Sequence, residues 1–202
     1  MPYESVVLVK QVPDTSNISG EAMKADGTVN RAALPAIFNP DDLAALELAL
    51  QVKDRHGGRV TALSMGPPSA AAVLRDALWR GADRAALLTD RSAAGSDTLA
   101  TSHLLACAVR HAGPFDLVFC GRQAIDGDTA QVGPQVAEKL ALPQITYVER
   151  IESLANGSIV ASRALPLGME RVRCHLPCLL TVVGSNIVAR PPAARRAVAL
   201  KL

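Results

Sequence analysis

Short apolar runs alternate with alanine-rich, amphipathic stretches four times along this chain, at the spacing of strand–helix–strand units. Ser5-Val-Val-Leu-Val-Lys10 is too short for a helix and rich in β-branched residues, so it reads as a buried strand. A helix is predicted from Pro40 to about His56, with Asn39 as its cap, Pro40 at its first position and Asp41 and Asp42 in the positive first turn. Gly57-Gly58 ends it. Further strands are predicted at residues 59–64, 84–89 and 115–120, with a fifth beginning near Gln144. Helices are predicted over 69–80, from Ser96 or Asp97 to about Ala112, and up to Leu140. Strands that alternate with helices in this way form a parallel sheet covered by helices, so the predicted fold class is α/β.

After Tyr147 the pattern changes. Residues 148–154 and 158–165 flank Asn156-Gly157, the signature of a hairpin, and residues 179–183 form one more apolar run. No helical period is visible in the last quarter. The expectation is one α/β domain over 1–184, with a small antiparallel extension on the sheet edge at about 147–183. A basic loop or arm follows over 185–202. The long polar stretch 11–34, with Pro13, Asn17, Gly20 and Asp26-Gly27, is expected to be functional or to hold a small hairpin.

The 202 residues are 49% apolar and 20% charged, enough to bury a core and too apolar for a disordered chain. No uncharged apolar run reaches eighteen residues, so no membrane span is expected. Residues 1–10 do not read as a signal peptide. Cys107, Cys120, Cys174 and Cys178 are widely spread, which suits free thiols in a reducing, cytoplasmic setting. The net charge of +2 hides an asymmetry: from residue 171 onward there are six basic residues and no acidic one. That basic end reads as a solvated tail or as a docking segment. Nucleic acid is not expected, because no aromatic residue is interleaved with the arginines.

Ligands of open parallel sheets bind beyond the carboxyl ends of the strands. Four segments sit at such ends: residues 10–14, 39–42, 64–68 and 121–134. The last, Gly121-Arg-Gln-Ala-Ile-Asp-Gly-Asp-Thr-Ala-Gln-Val-Gly-Pro134, joins a buried strand to a helix through small residues. Thr129 and Gln131 lie near the helix start, where free N–H groups and the helix dipole suit a phosphate. Asp126 and Asp128 would repel a phosphate, and are expected to cap the helix or to accept from a ribose hydroxyl. The segment reads equally as a capped helix alone. Neither G-x-x-x-x-G-K-[ST] nor G-x-G-x-x-G is present, which disfavours kinase chemistry and ordinary dinucleotide binding. Gly95-Ser96-Asp97-Thr98 begins another helix, where Thr98 and Thr101 can meet a phosphate. Cys174, His175 and Cys178 suggest a metal by proximity, but His175 points away on an extended chain and no fourth ligand is near, so the cluster reads as structural. His103 and His111 have no partner nucleophile, and G-x-S-x-G is absent, so no hydrolase or transferase constellation is found.

Val9-Lys10-Gln11-Val12-Pro13-Asp14, Asn39-Pro40-Asp41-Asp42, Ser64-Met65-Gly66-Pro67, Gly81-Ala82-Asp83-Arg84, the 121–134 run and Leu176-Pro177 closely resemble the β subunit of electron-transfer flavoproteins. The resemblance runs in order from about Val6 to Val183. It implies an adenine-nucleotide-binding α/β sandwich, paired with an α subunit that holds the electron-transferring FAD. One branch of the family holds AMP in the β subunit, and the electron-bifurcating branch a second FAD. The residues implied as nucleotide contacts are Leu8, Asn39, Asp42, Ala62, Met65, Thr98 and Thr101, with Gly121, Gln123, Ala124, Asp126, Gly127, Asp128, Thr129, Ala130, Gln131 and Val132. The 126–134 run with Thr98 and Thr101 favours FAD over AMP.

An electron carrier needs no nucleophile or proton-transfer dyad, because the cofactor carries the chemistry. The low aromatic content, 3%, is compatible with a nucleotide held by backbone and helix ends. At the C-terminus the pattern departs from the family. Residues 186–196 take the place of a loop that docks on a partner dehydrogenase, with Ala194 where a leucine anchor would stand, and the chain stops at Leu202. The resemblance therefore implies a divergent or shortened subunit. The other reading is a stand-alone nucleotide-binding or sensing domain with no redox role.

Overall fold

The structure is a computed structural model that describes residues 2–14 and 35–200. Its centre is an eight-stranded sheet in the order β5-β4-β1-β6-β10-β7-β8-β9. Here β1 is Tyr3–Leu8, β4 Gly58–Met65, β5 Arg84–Leu88, β6 Leu117–Gly121 and β10 Cys178–Val182, with β7 Gln144–Ala155, β8 Ser158–Leu165 and β9 Gly168–His175. The pairs from β5 to β7 are parallel, whereas β7, β8 and β9 form an antiparallel meander. The described ends of the 11–34 stretch and its neighbour, β2 (Gln11–Pro13) and β3 (Ala36–Phe38), pair antiparallel as a separate two-stranded ribbon. The rest of that stretch, 15–34, lies outside the described residues.

Helices cover both faces. Val7, Val60, Phe119 and Leu180 pack with α1 (Pro40–His56) and α2 (Ala71–Arg80) on one side. Val6, Leu63, Val118 and Leu179 pack with α3 (Thr98–His111) and α4 (Val132–Leu140) on the other. The alternation of faces along each strand is the period-2 rule at work. The core is built almost wholly from Ala, Val and Leu, with Phe119 its largest fully buried side chain.

Three features differ from the sequence expectations. The apolar run at 179–183 does not extend the antiparallel edge: β10 returns to the middle of the sheet, parallel to both β6 and β7. All five of its residues are buried, as a strand with neighbours on both sides and helices above and below requires. Second, β9 is a full strand, hidden in the sequence because its Glu, Arg and His residues belong to an exposed edge rather than a half-buried surface. Third, the last quarter holds a helix, α5 (Ala194–Leu200), where a loop or arm was expected. At seven residues it is too short to stand on its own propensity, and tertiary contacts hold it. Arg196 donates to the carbonyls of Leu78 and Ala82, and the Ala193 N–H to that of Trp79.

The basic end is therefore no solvated tail. It straps the chain over α1 and α2. Glu47, buried on α1, accepts from the Arg190 backbone N–H and from its guanidinium at 2.8 and 3.1 Å, and Arg190 also reaches Asp54 at 2.8 Å. Burial works to raise the Glu47 carboxyl, but the Arg190 hydrogen bonds outweigh it and hold the group below its ordinary value. The strap accordingly weakens as the pH falls through the carboxylate range. Arg190→Ala leaves Glu47 without its cation, and the 31% exposure of the Arg190 side chain keeps the cost below that of a wholly buried pair. The expected loss is about 1–3 kcal/mol in urea unfolding, with faster tryptic cleavage at Arg195 and Arg196.

Candidate functional site

The chain leaves β1 through α1 toward β4 on one side, while β6 lies on the other. The carboxyl ends of β1 and β6 thus flank a switch point, where open α/β sheets form their crevices. The first turn of α1 lies at that point and ties the strand ends together. Asp42 is only 7% exposed; its Oδ2 accepts the Lys10 N–H at 2.9 Å and its Oδ1 the Gly121 N–H at 2.8 Å. Asp41 accepts the Gly184 N–H, just past β10, at 3.0 Å. Two neighbouring carboxylates therefore join the ends of three strands. Burial pushes the Asp42 carboxyl up to about 7, against the lowering effect of the two backbone donors.

Asn39 occupies the cap position of α1 but makes no side-chain cap bond. Instead its Nδ2 donates to the Gln123 carbonyl at 2.8 Å, and its Oδ1 accepts from the Ile125 N–H at 3.2 Å. A residue expected to cap a helix thus pins the loop that follows β6. That loop begins at Gly121 because nothing larger fits: a Cβ there would lie 2.5 Å from Asp42 Oδ1 and 2.7 Å from the Asp42 backbone nitrogen. Farther along, Asp128 and Ala130 adopt φ of 49° and 53°, left-handed conformations that cost energy for residues with a Cβ.

Asp126 and Asp128 do not cap α4. Asp126 receives both carboxylate hydrogen bonds from the Lys10 ammonium, at 2.8 and 3.0 Å, and Asp128 accepts from the Gln123 amide at 2.6 Å. The cap position of α4 is Gln131, again with no side-chain cap bond, and Val132 and Gly133, whose N–H groups open the helix, line the cleft. Gln131 instead accepts from the Thr98 hydroxyl at 2.8 Å. Thr98 opens α3, whose own cap, Asp97, accepts from the Ala100 N–H. The starts of α3 and α4 are thereby held side by side.

The cleft has a volume of about 820 Å³. Leu8, Asp42, Met65, Thr98 and Thr101 line it, as does each expected residue of the 121–132 loop. Asn39 and Ala62 do not. Asn39 braces the loop from behind, and Ala62 is wholly buried in the core shared with α1 and α2. The strand period puts the next residue, Leu63, on the cleft side instead. Arg122, Cys120 and much of the wall after β5, including Thr89, Arg91 and Ala94, also line the cleft and are not among the expected contacts. The strand-end rule applied to β5 would have found that wall. Arg122 Nε is buried without a hydrogen-bond partner among the described residues; Asp41 Oδ2 lies 3.5 Å away, beyond ordinary hydrogen-bond range.

Of the four cysteines, Cys174 and Cys178 come together, thiol to thiol. Cys178 is buried on β10 and Cys174 half-buried on β9, and burial pushes both thiols up. No group of three or more His, Cys, Asp or Glu side chains among the described residues is arranged to hold a metal ion. His103 and Cys107 are exposed together on α3, 3.9 Å apart. No helix among the described residues is long and apolar enough to cross a membrane.

Residues 26–201 match the profile of a family described as the electron transfer flavoprotein domain. The chain is 48% identical to an electron transfer flavoprotein subunit beta of Thermoanaerobacterium thermosaccharolyticum, over 93% of this chain and 71% of that protein. It is 48% identical to an acryloyl-CoA reductase electron transfer subunit gamma of Anaerotignum propionicum, over 90% of this chain and 68% of that one. A protein named FixA from Azorhizobium caulinodans is 52% identical, over 88% and 65% respectively.

Proposed function

Because the chain belongs to the electron transfer flavoprotein family, as a β subunit serving electron transfer, we propose that its cleft binds FAD and that it works paired with an α subunit. The observation that carries this reading is the convergence of two helix starts, at Thr98 and Val132, on a cleft of about 820 Å³. Paired helix starts suit a pyrophosphate better than the single phosphate of AMP, and FAD has more than twice the atoms to house. The Arg122 guanidinium, ion-paired with Asp41 at 3.5 Å, lies on the same wall. AMP is the other candidate for this cleft.

FAD, when bound, supplies the redox chemistry. The chain's own residues bind and orient. The open N–H groups of α4, with Thr129 and Gln131, would hold phosphate. The Lys10–Asp126 pair neutralises a carboxylate that would otherwise repel it. Leu8, Leu63 and Met65 give the cleft an apolar floor away from water. A non-redox sensing role is disfavoured by the company of relatives whose names specify electron transfer. Residues 186–196 remain the proposed contact for a partner dehydrogenase, with Val188 fully presented at 90% exposure. The free thiols suit a cytoplasmic setting.

Releasing the nucleotide from purified protein and identifying it by mass tests the proposal. Stoichiometric FAD with flavin absorbance is the expected result. AMP would overturn the choice of cofactor, and ATP or no nucleotide under saturating conditions would overturn the flavin reading of this chain. Thr129→Val with Gln131→Leu is expected to weaken nucleotide binding roughly tenfold or more by calorimetry, from the loss of one or two hydrogen bonds.

A further inference from the structure

β9 ends in register with the start of β8, whereas β10 begins beside the start of β7. Only Leu176 and Pro177 link the two strands, so the meander must curl to bring these ends together. Two shifts of register in β7, where a strand bends, accommodate the curl. Backbone bonds fix the crossing: the Leu176 N–H donates to the Gly157 carbonyl at 2.9 Å, and the Cys178 N–H to that of Asp116 at 3.2 Å. The curl places Cys174, near the end of β9, and Cys178, the first residue of β10, against one core cluster. There both are free, and each thiol is the other's hydrogen-bond partner. Two thiols are too few for a structural zinc ion, which takes four ligands, and no third His, Cys, Asp or Glu among the described residues completes a set. What two thiols in contact can do is lose two electrons and join.

We propose that Cys174 and Cys178 are a dithiol that a low-molecular-weight disulfide oxidises reversibly to an intrachain disulfide, pinning the end of β9 to the start of β10. Cys174 is half-buried and is the thiol that the reagent reaches; Cys178 is wholly buried. The Cys174 thiolate attacks one sulfur of the reagent and expels the other as a thiolate, leaving a mixed disulfide. Cys178 then gives up its proton and attacks the Cys174 sulfur, expelling the second reagent thiolate. The protein loses two electrons and two protons, and the reagent leaves as two thiols. Burial pushes both cysteines up, and attack follows the thiolate fraction, so the reaction is slow and the pair rests reduced until the oxidant persists. Cys107 is exposed with His103 rather than a thiol beside it, so it takes up the same reagent without closing a bond.

The test is incubation of the reduced, full-length chain with glutathione disulfide, then alkylation of the remaining thiols, denaturation and tryptic mapping. Trypsin cutting after Arg173 and Arg195 releases both cysteines on one peptide, residues 174–195, with no other cysteine; the Arg190–Pro191 bond resists. That peptide is expected to be lighter than the dithiol form by two hydrogens, to carry no alkyl group, and to take up two after dithiothreitol. The same titration in urea separates the fold from mere nearness in sequence: the folded chain should need at least about tenfold less glutathione disulfide. In Cys178→Ala the glutathione should stay on Cys174, whereas Cys178 in Cys174→Ala should stay free; the parent result stands whether or not these variants fold. A 174–195 peptide alkylated at both cysteines, or still carrying glutathione in the parent, overturns the proposal. So does a bond from either cysteine to Cys107, Cys120 or a second chain, or oxidation no easier in the folded chain than in urea. Glutathione on Cys178 in Cys174→Ala overturns entry through Cys174.

Discussion

Asp42→Ala is expected to destabilise the protein by about 2–5 kcal/mol, because it leaves one buried and one partly buried backbone N–H group without an acceptor, at about 1–3 kcal/mol each. The donors are those of Lys10 and Gly121, at the ends of two adjacent strands, the Gly121 bond buried and the Lys10 bond partly so. For a chain of this size the Tm should fall by roughly 5–15 °C. Urea unfolding should show a lower midpoint with an unchanged slope. The loss should also depend on pH, and the sign follows from the raised carboxyl. A folded pKa of about 7 against an ordinary value of 3.8 means the folded state holds the proton more tightly. The Asp42 contribution is then complete below about pH 4 and declines as the pH rises through 7. The gap between parent and Asp42→Ala should accordingly be larger at pH 5 than at pH 8. A gap that widens with pH would mean that the carboxylate, not the acid, is the form the fold prefers.

Gly121→Ala should do comparable damage from the other side of the same contact. Its Cβ would meet the Asp42 carboxylate at 2.5 Å and the Asp42 backbone nitrogen at 2.7 Å, so helix α1 must retreat from the strand. Overpacking of this kind costs about 1–3 kcal/mol, and the retreat also stretches the hydrogen bond from Gly121 to Asp42. Nucleotide affinity should fall with it, since both residues line the cleft. The two variants share one interaction, so their effects should not add. The double variant should be milder than the sum by more than about 0.5 kcal/mol, the usual margin of additivity for independent sites. Full additivity would show that Gly121 serves something other than the approach of α1.

Much of the architecture is legible in the residues because each local signal agrees with its neighbours. Asn39-Pro40-Asp41-Asp42 announces a helix start, and α1 begins at Pro40. Asn156-Gly157 announces a tight hairpin, and both residues take the positive φ such a turn requires, 51° and 68°. What local signals cannot carry is partner choice. The side chain of Asn39 has a helix to cap and a loop to brace, and only the packed structure decides for the loop. Asp126 is a cap candidate until the fold brings Lys10, distant in sequence, within 2.8 Å. Ala62 and Leu63 are both apolar, and which one meets the cleft depends on which face α3 and α4 cover. The strap is the clearest case: nothing in the composition of residues 186–200 says that Arg190 will find Glu47.

The place of β10 has a consequence for how the chain matures. On a ribosome, Leu117–Gly121 and Gln144–Ala155 emerge well before Cys178–Val182, yet the later strand must come between them. A nascent chain that ends before Cys178 carries two strands whose shared neighbour does not yet exist. Those edges are the ones most able to recruit the wrong strand, from the same chain or from another on the polysome. The order of synthesis thus sets a vulnerable interval, one that closes only when a segment made late is threaded into the centre of a sheet begun early.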